Sequence, residues 1–381
     1  MIDEQKYLKT WKHEGTILFA DFGAKVSDKV AGFDMDSTLI TTKSGLMLAK
    51  DSSDWVWWDE NVPKKLSEIH ENGFKIVIFS NKAGVEMGRI DPIDLQQKFT
   101  QIYESLKVPF QIICATSKDA NHKPSIGMWK YFVSNCNDGI EPDKSQSFYC
   151  GDSAGRPKRK DKNKDFSYCD RQFAMNLGVQ FYTPEMYFQE LEEILPPLEF
   201  DTNTLKSLEG QSPTEEEEKY TSEAQEVVVF VGAPGSGKST FWKNYLKDYV
   251  RVNNEILKTK QKCIEAARKI LKEGKSCVID NTNPKIEARS DYISIAEEFK
   301  VPCRAFYFNT DKNICMHNNE QRSINPNRNH LSKKTPRLII NVFFKNCVVP
   351  TQSEGFTEVK VINFIPGPFE SDDDKETYYT Y

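Results

Sequence analysis

The sequence predicts an α/β protein with two domains, each built on a mainly parallel sheet. Short apolar runs alternate with helical patterns in both halves of the 381-residue chain. This alternation is typical of parallel strands joined by crossover helices. A chain of this length exceeds a typical single hydrophobic core, so two domains are the expected arrangement.

The strand candidates end in polar residues. In the first half they are KVAGF, FKIVIFS, FQIICAT and SFYCGD, and in the second half they are EVVVFVG, SCVIDN and CRAFYFN. Open α/β sheets bind their ligands at the carboxyl ends of the strands. We therefore look for site residues at these ends.

Composition divides the chain into four segments. We expect one domain over residues 1–205 and another over residues 226–368. Residues 206–225 are rich in Ser, Pro, Thr and Glu and include four consecutive glutamates, so they predict an acidic linker that buries too little surface to order itself. Residues 369–381 predict an acidic, mostly solvated tail.

Charge and cysteine content limit the class of protein. The 51 basic and 56 acidic side chains give a formal net charge of -5, so any polyanion site must be a local patch. The N-terminal stretch lacks the apolar core of a signal peptide and no apolar run is long enough to span a bilayer, so we expect an intracellular protein. The nine cysteines form no C-x-x-C pair, which argues against a zinc module and a disulfide framework.

The first half carries a candidate phosphoryl-transfer site. Asp34 and Asp36 follow its first strand candidate, Ser80 follows the second, Lys123 precedes a helix, and Asp152 follows the fourth strand candidate. Asp34 is the expected nucleophile, forming an aspartyl-phosphate, and Asp36 the expected general acid and base. Ser80 and Lys123 would bind phosphoryl oxygens, and the carboxylates would hold magnesium. A lone D-x-D pair is otherwise a turn or an N-cap, and Ser80 is otherwise a capping hydroxyl.

The order of these motifs resembles the haloacid dehalogenase-like phosphatases. The D-x-D-S-T motif is followed by IFSNK, by a Lys-Pro pair and by CGDSAGR, all in the first half of the chain. The resemblance implies a haloacid dehalogenase-like parallel α/β phosphatase domain.

The second half carries a phosphate-binding loop between a strand and a helix. The stretch GAPGSGKST fits G-x-x-x-x-G-K-[ST] and predicts a P-loop α/β kinase that binds ATP and magnesium. Its binding residues are Gly232, Gly235, Ser236, Gly237, Lys238, Ser239 and Thr240, with Ser239 as the magnesium ligand.

Downstream residues supply candidates for transfer to an acceptor. Glu255 is the general-base candidate and is otherwise a surface glutamate at a helix start. Asp280 suits magnesium or a positioned water. Arg289, Arg322 and Arg328 are candidate clamps for the transferring phosphoryl group, and each is otherwise a surface arginine.

The combination resembles the eukaryotic polynucleotide kinase 3′-phosphatase family. The stretches that carry the resemblance include VAGFDMDSTLITTKSG, KPSIGMW, GDSAGRP, DFSYCDRQFAMNLG, GAPGSGKSTF and DNTNP, and they extend from about residue 8 to residue 365. The resemblance implies removal of 3′-phosphate from DNA ends and ATP-dependent phosphorylation of 5′-hydroxyl ends in strand-break repair, with magnesium in both sites. By the same resemblance the phosphatase residues are Asp34, Asp36, Ser80, Lys123, Asp152 and Asp170, with Asp170 among the metal ligands.

The sequence departs from this family in three places. Only about 30 residues precede the D-x-D motif, so the forkhead-associated domain that docks repair scaffolds is expected to be missing. Asn254-Glu255 stands where the family typically has Arg-Asp, and Glu320-Gln321 alters the lid, in which Arg322 still matches. These changes favour an active phosphatase over the kinase, because a carboxylate displaced by about 1 Å can cost about a hundredfold in rate.

A strand end also needs positive charge near the site. Residues 155–165 contain six Lys or Arg and form either the phosphatase entrance, a nuclear localisation signal or a solvated loop. Trp129 and Arg89 are possible strand contacts, and core packing is the alternative for Trp129. We expect a nuclear monomer that acts on DNA termini, with a repair scaffold or ligase as a possible partner.

Two rival hypotheses remain open at this stage. One is a small-molecule kinase and phosphatase, and the other is an active 3′-phosphatase with an impaired, ATP-binding kinase domain.

Overall fold

The computed structural model describes residues 11–159, 162–214, 219–324 and 334–381. The chain divides into two compact units, one formed by Met1–Thr202 with Ser371–Tyr381 and the other by Asn203–Glu370. Each unit contains a largely parallel sheet with helices, so the predicted fold class is confirmed. No helix of the described part is long and apolar enough to cross a membrane.

The first unit is built on a seven-stranded sheet in the order β1-β2-β7-β6-β3-β8-β9. From β7 to β9 the neighbouring strands are parallel, whereas β2 pairs antiparallel with both β1 and β7. Its strands are β1 (Trp11–Glu14), β2 (Ile17–Asp21), β3 (Val30–Phe33), β4 (Ile40–Thr41), β5 (Val56–Trp57), β6 (Lys75–Asn81), β7 (Gln111–Ala115), β8 (Phe148–Cys150) and β9 (Gln180–Tyr182), of which β4 and β5 form a separate small hairpin. Its helices before residue 203 are α1 (Asn61–Glu71), α2 (Pro92–Leu106), α3 (Gly127–Cys136), α4 (Cys169–Leu177) and α5 (Pro184–Phe188).

Two apolar clusters cover the two faces of this sheet. Every residue of β3 is buried, as expected for a central parallel strand with helices on both sides. Alternate residues of β3 contribute to opposite clusters, with Ala31 and Phe33 in one and Val30 in the other. Burial of β3 on both faces fixes where its carboxyl end emerges, and therefore where Asp34 lies.

The second unit contains a five-stranded parallel sheet in the order β11-β12-β10-β13-β14. The five residues of its central strand, β10, are all buried. Its strands are β10 (Val227–Val231), β11 (Val250–Val252), β12 (Cys277–Ile279), β13 (Cys303–Phe308) and β14 (Glu358–Ile362). Its helices are α6 (Asn203–Lys206), α7 (Lys238–Tyr245), α8 (Asn254–Leu257), α9 (Lys260–Lys272), α10 (Ile286–Phe299), α11 (Lys312–Ile324) and α12 (Arg337–Asn346).

The predicted solvated tail is wrong for the end of the chain. Residues Asp372–Thr380 form helix α13, which begins where the Ser371 side chain accepts a hydrogen bond from a backbone amide. Tyr378 and Tyr379 are buried in the first unit, and the Asn176 side chain on α4 donates to the Thr380 carbonyl. The acidic residues occupy the first turn, where negative charge is favourable, and the aromatic residues provide the apolar surface that docks the helix.

The predicted linker is also partly packed. Tyr220 is buried and its ring lies 4.9 Å from that of Phe241, within the apolar core of the second unit. The glutamate run lies within residues 215–218, outside the described residues.

Candidate active sites

Three carboxylates meet at the carboxyl edge of the first sheet. Asp34 directly follows β3, Asp152 follows β8, and Asp170 lies in the first turn of α4. One carboxylate oxygen of each lies within 4.8 Å of the other two. Hard divalent cations such as Mg²⁺ prefer oxygen ligands of this kind, so the donor set fits the predicted ion.

The Lys123 ammonium lies among these acids. It donates to Asp34 Oδ1, to Asp170 Oδ1 and to the Tyr149 hydroxyl, each at 2.7 Å. The residue is only 2% exposed. Asn81 fixes its main chain, because Asn81 Oδ1 accepts from the Lys123 amide and Asn81 Nδ2 donates to the Lys123 carbonyl. The structure therefore brings the predicted lysine into contact with the predicted nucleophile.

Crowding of the acids changes their ionisation. Burial raises the pKa of Asp34 to about 6, although the Lys123 ammonium opposes the shift. Burial, together with the Asp170 and Asp34 carboxylates, raises the pKa of Asp152 to about 8. Burial opposes protonation of Lys123, but Asp170 and Asp34 outweigh it and raise the lysine pKa. A bound divalent cation would favour the ionised carboxylates and so oppose the first two shifts.

Gly151 allows Asp170 to reach this site. A Cβ atom at Gly151 would lie 2.5 Å from Asp170 Cγ, which is closer than real contacts permit. The Ser153 amide donates to Asp170 Oδ2 at 3.0 Å and holds the carboxylate there. The first glycine of the CGDSAGR motif, Gly151, is therefore required because a side chain there would collide with Asp170, which lies 19 residues later in the chain.

Asp36 forms a separate ion pair. Its Oδ2 contacts the buried Lys82 ammonium, and 60% of the Asp36 side chain is exposed. Desolvation opposes ionisation of Asp36, but Lys82 outweighs it and lowers the pKa of the carboxyl. Among the described residues the acid group contains Asp34, Asp152 and Asp170 but not Asp36. The predicted metal ligation by the Asp36 side chain is therefore not reproduced, because Lys82 takes up its carboxylate.

The other residues predicted for the first site fall into different environments. Ser80 is buried at the end of β6, next to Asn81, as predicted for a strand-end residue. Trp129 is 5% exposed and its ring lies 5.8 Å from that of Phe79, so the core interpretation holds and the strand contact is wrong. Arg89 is exposed in the loop after β6.

Three of the six cations of the basic loop 155–165 pair with acidic side chains of the first unit. Arg156 is buried and pairs with Asp165, Glu185 and Glu193. Arg159 pairs with Asp165 and Glu193, and Lys162 pairs with Glu185. Burial of Arg156 contradicts a place for this side chain in a solvated loop. Arg159 and Lys162 keep 29% and 49% of their side chains exposed, so for them the phosphatase entrance, the nuclear localisation signal and the solvated loop stay predictions. Residue 160 lies outside the described residues.

The second site is formed around the P-loop between β10 and α7. Gly235 and Gly237 have φ values of +85° and +91°, which L side chains rarely adopt, and a Cβ at Gly235 would lie 2.4 Å from the Cys315 carbonyl oxygen. Lys238 Nζ donates to the carbonyl oxygens of Gly232 and Ala233, at 2.9 and 2.6 Å, and to Ser236 Oγ at 3.3 Å. Burial lowers the pKa of Lys238 to about 8. Thr240 lies in the first turn of α7.

A hydroxyl, a carboxylate and a guanidinium meet beside the P-loop. Ser239 Oγ donates to Asp280 Oδ2 at 2.7 Å. Arg251 donates from Nε to the same oxygen at 2.7 Å and from a terminal nitrogen to Ser239 Oγ at 2.9 Å. The Arg251 guanidinium also lies 5.1 Å from the centre of the Trp242 ring. Ser239 and Asp280 form the pair of oxygen donors that a magnesium ion beside a P-loop phosphate needs.

Glu255 is held near the P-loop by the end of β12. The Asn253 side chain caps α8 by accepting from the Glu255 amide at 2.7 Å, and it also donates to the Asp280 carbonyl at 2.8 Å. The Glu255 carboxylate is exposed and lies close enough to Lys238 and Arg322 to interact electrostatically with both. Burial lowers the pKa of Arg322, although Glu255 opposes the shift. The predicted base therefore acts electrostatically on the predicted clamp.

One predicted clamp is instead a structural arginine. Arg289 is fully buried and its guanidinium donates to both carboxylate oxygens of Glu354, at 2.8 and 2.6 Å. It also donates to the carbonyl oxygens of Asn283 and Val348. These contacts leave it no surface for a phosphoryl group, so its assignment as a clamp is wrong. Arg328 lies outside the described residues.

Sequence reasoning missed three charged or polar residues of these sites. They are Lys82 beside Asp36, Tyr149 beside Lys123, and Arg251 beside Asp280. Position within the sequence gave a signal only for Lys82, which directly follows Asn81 at the end of a predicted strand. Tyr149 and Arg251 lie within strands, where the side chain of a polar residue is usually assigned to the sheet surface.

Comparison with known proteins assigns the chain to a family. The family model described as "Polynucleotide kinase 3 phosphatase" matches residues 29–188, and the one described as "AAA domain" matches residues 258–335. A Schizosaccharomyces pombe protein named "Bifunctional polynucleotide phosphatase/kinase" is 39% identical over 365 residues, which cover 95% of this chain and 86% of that protein. This chain belongs to the bifunctional polynucleotide phosphatase/kinase family.

Two other relatives match most of this chain or about half of it. An Acanthamoeba polyphaga mimivirus protein named "Putative bifunctional polynucleotide phosphatase/kinase" is 32% identical to this chain. The aligned region covers 88% of this chain and 85% of that protein. The Arabidopsis thaliana "Polynucleotide 3'-phosphatase ZDP" is 34% identical over 48% of this chain and 27% of its own length. This chain therefore combines a phosphatase domain with a kinase domain, as its bifunctional relatives are named. It is an enzyme of this bifunctional class.

Proposed function

We propose that this family member removes 3′-phosphates from DNA strand ends in its first unit and phosphorylates 5′-hydroxyl ends with ATP in its second. The observation that carries the phosphatase assignment is the contact of Lys123 with Asp34 and Asp170 in a group that also contains Asp152. A cation and an ammonium beside a carboxylate are what a carboxylate needs to attack an anionic phosphoryl group.

The phosphatase reaction proceeds in two transfers. The Asp34 carboxylate attacks phosphorus and the bond to the 3′-oxygen breaks. Because Lys82 favours the ionised form of Asp36, Asp36 must first take up a proton from solvent, which it then gives to that oxygen. Asp36 then takes a proton from a water that attacks the aspartyl-phosphate, which releases inorganic phosphate and restores Asp34. Lys123 neutralises charge on the phosphoryl oxygens, with Ser80 as a further donor. Magnesium, held by Asp34, Asp152 and Asp170, would supply Lewis-acid stabilisation of the same charge.

The kinase reaction is a single transfer from ATP. Glu255 takes the proton of the 5′-hydroxyl, and the oxygen of that hydroxyl attacks the γ-phosphorus. The bond between the γ-phosphorus and the oxygen that links it to the β-phosphate breaks, and ADP leaves with that oxygen. The P-loop amides and Lys238 hold the β- and γ-phosphates, and Arg322 offsets charge on the transferred group. Ser239 and Asp280 would hold magnesium, which would supply positive charge to offset that of the phosphates.

Strand-break repair is the setting that this pair of activities supports. The two reactions would leave a 3′-hydroxyl and a 5′-phosphate, the termini that a ligase joins. We therefore propose nuclear localisation, DNA termini as substrate and a monomeric enzyme, with a repair scaffold or ligase as partner. We also propose a domain limit near residue 205.

One oligonucleotide with a 3′-phosphate and a 5′-hydroxyl tests both activities. With magnesium alone we expect 3′-dephosphorylation, and with γ-labelled ATP we expect label at the 5′ end. Asp34→Asn should abolish the first reaction and Lys238→Ala the second. Dephosphorylation by Asp34→Asn at the unaltered rate would contradict the phosphatase assignment. Binding of ATP by the unaltered protein without label transfer would support the alternative of an impaired kinase.

A further inference from the structure

The first unit includes a part of the chain that follows the second unit. Residues 371–381 return to the first unit after residues 203–370 have formed the second. Helix α13 packs there against α4, and its Tyr378 and Tyr379 side chains are 1% and 4% exposed. Because Asp170 lies in the first turn of α4, α13 lies against a helix that carries a residue of the phosphatase site.

Helix α13 is also paired with α3. The Lys130 ammonium on α3 forms ion pairs with Asp373 and Glu376 on α13. Helix α3 begins four residues after Lys123, so it continues the segment that supplies the lysine of the site. Helix α13 therefore contacts both the helix that follows Lys123 and the helix that contains Asp170.

One side chain, that of Asn176, joins these three parts of the first unit. Its Nδ2 donates to the Pro124 carbonyl at 2.9 Å and to the Thr380 carbonyl on α13. Pro124 is buried and directly follows Lys123, and a buried carbonyl oxygen needs such a donor. Asn176 lies on α4, six residues after Asp170. The same helix therefore fixes Asp170 and the main chain next to Lys123.

The segment that carries Lys123 is held from two sides. Asn81 sets the Lys123 main chain relative to β6, whereas Asn176 sets the next residue relative to α4. The contact at stake is the one between Lys123 Nζ and Asp170 Oδ1, which is 2.7 Å long. A shift of α4 against this segment would lengthen that contact, and a displacement of about 1 Å in a site can cost about a hundredfold in rate.

We propose that Asn176 is a positioning residue of the phosphatase and that α13 orients it, so that full phosphatase activity requires residues 371–381. The Asn176 amide group is planar, so the Thr380 carbonyl that accepts one of its N–H groups also directs the other toward Pro124. The inference rests on the proposed 3′-phosphatase activity. It adds that the first unit depends on chain that follows the kinase unit.

Asn176→Leu tests the positioning role, because leucine has a similar volume and donates neither hydrogen bond. We expect phosphatase kcat to fall at least about tenfold, and magnesium to bind the first unit about tenfold more weakly because Asp170 is displaced. Calorimetric titration with magnesium, without nucleotide, measures that affinity. Both proteins carry Asp280→Asn in this titration, so that the heat reports the first unit.

Asn135→Leu is the matched control. Asn135 is exposed on α3 and its side chain donates to the Tyr131 carbonyl of the same helix, so both values should stay unchanged. A merely structural role of Asn176 would lower the folded fraction and leave the magnesium affinity of the folded molecules unaltered, and that result would overturn the inference. Absence of dephosphorylation in the unaltered protein would instead overturn the phosphatase assignment.

Removal of residues 371–381 tests whether α13 acts through Asn176. Made alone, the deletion should lower phosphatase kcat about as much as Asn176→Leu. Made together, the two changes should cost little more than either, because both break the same connection. Full additivity, or an unaltered kcat in the deletion, would overturn the inference. If the deletion unfolds the first unit, Tyr379→Ala, which loosens α13 without removing it, takes its place in the same comparison. Label transfer to 5′ ends in each sample shows that the second unit is intact.

Discussion

Replacement of Arg156 by methionine should destabilise the first unit by about 3 kcal/mol at pH 7. The Arg156 guanidinium is 4% exposed and contacts three carboxylates, and it also donates to the Asp152 carbonyl at 3.0 Å. Methionine fills a similar volume but leaves those carboxylates short of a buried partner. Removing one member of a buried ion pair typically costs about 3–5 kcal/mol.

The pKa of Glu185 gives a second value for the stability that these ion pairs contribute, and it is of similar size. Burial opposes ionisation of Glu185, yet hydrogen bonds from Lys162 and Arg156 lower its pKa from 4.5 to about 2. At about 1.4 kcal/mol per unit, this corresponds to about 3 kcal/mol, which both cations share. A lowered carboxyl pKa contributes stability that is complete above pH 4.5 and is lost as the pH falls toward 2. The cost of Arg156→Met should therefore shrink below pH 4.5.

Urea unfolding followed by tryptophan fluorescence measures this cost. Five of the six tryptophans lie in the first unit, at positions 11, 55, 57, 58 and 129, so the signal reports mainly on that unit. Arg159→Met is the matched control in the same loop, and it should cost less because Arg159 is 29% exposed. A loss below about 1 kcal/mol in Arg156→Met at pH 7, or one that does not decrease on acidification, would refute the reasoning.

Four further predictions concern the two sites. Lys123→Met should lower phosphatase kcat at least about a thousandfold, since it leaves two carboxylates facing an anionic substrate, and 5′-labelling should continue in the same sample. Magnesium binding should release protons at pH 7, because Asp152 has a pKa of about 8 and must ionise, and the release should vanish near pH 9. Calorimetry in buffers of different ionisation enthalpy counts those protons, and zero release at pH 7 would contradict the assignment. Glu255→Gln should lower label transfer at least about a hundredfold and Arg251→Ala about tenfold, with 3′-dephosphorylation as the internal control.

The sequence was most informative where a buried strand ends at a site. All seven predicted strands form, because continuous apolar runs between polar residues leave little choice for strands covered on both faces. Asp34, Asp152 and the P-loop lie at the predicted ends of β3, β8 and β10. Hairpin β1-β2 was not anticipated, since its first strand is mostly exposed and has no apolar pattern to mark it.

Partners of charged side chains could not be predicted from the sequence. The cations of the basic loop lie close together in the sequence, but two of the three carboxylates that pair with Arg156 belong to Glu185 and Glu193, 29 and 37 residues later. Likewise, nothing local distinguishes Arg289, buried against Glu354, from Arg322 beside the P-loop. Which arginine meets a ligand and which meets a glutamate is set by tertiary packing.

Each site contains a buried lysine beside its phosphoryl-transfer residues, Lys123 in the first and Lys238 in the second, and the partners of that lysine indicate what the site binds. Lys123 donates to two carboxylates, which raise its pKa. The negative charge of the acids around Lys123 exceeds its single positive charge, so the site favours binding of a further cation. Among the described residues Lys238 donates only to carbonyl and hydroxyl oxygens, and burial lowers its pKa to about 8. No carboxylate contacts this ammonium there, so the loop favours binding of an anion. The first site is therefore suited to bind a divalent metal, and the second to bind the phosphates of a nucleotide.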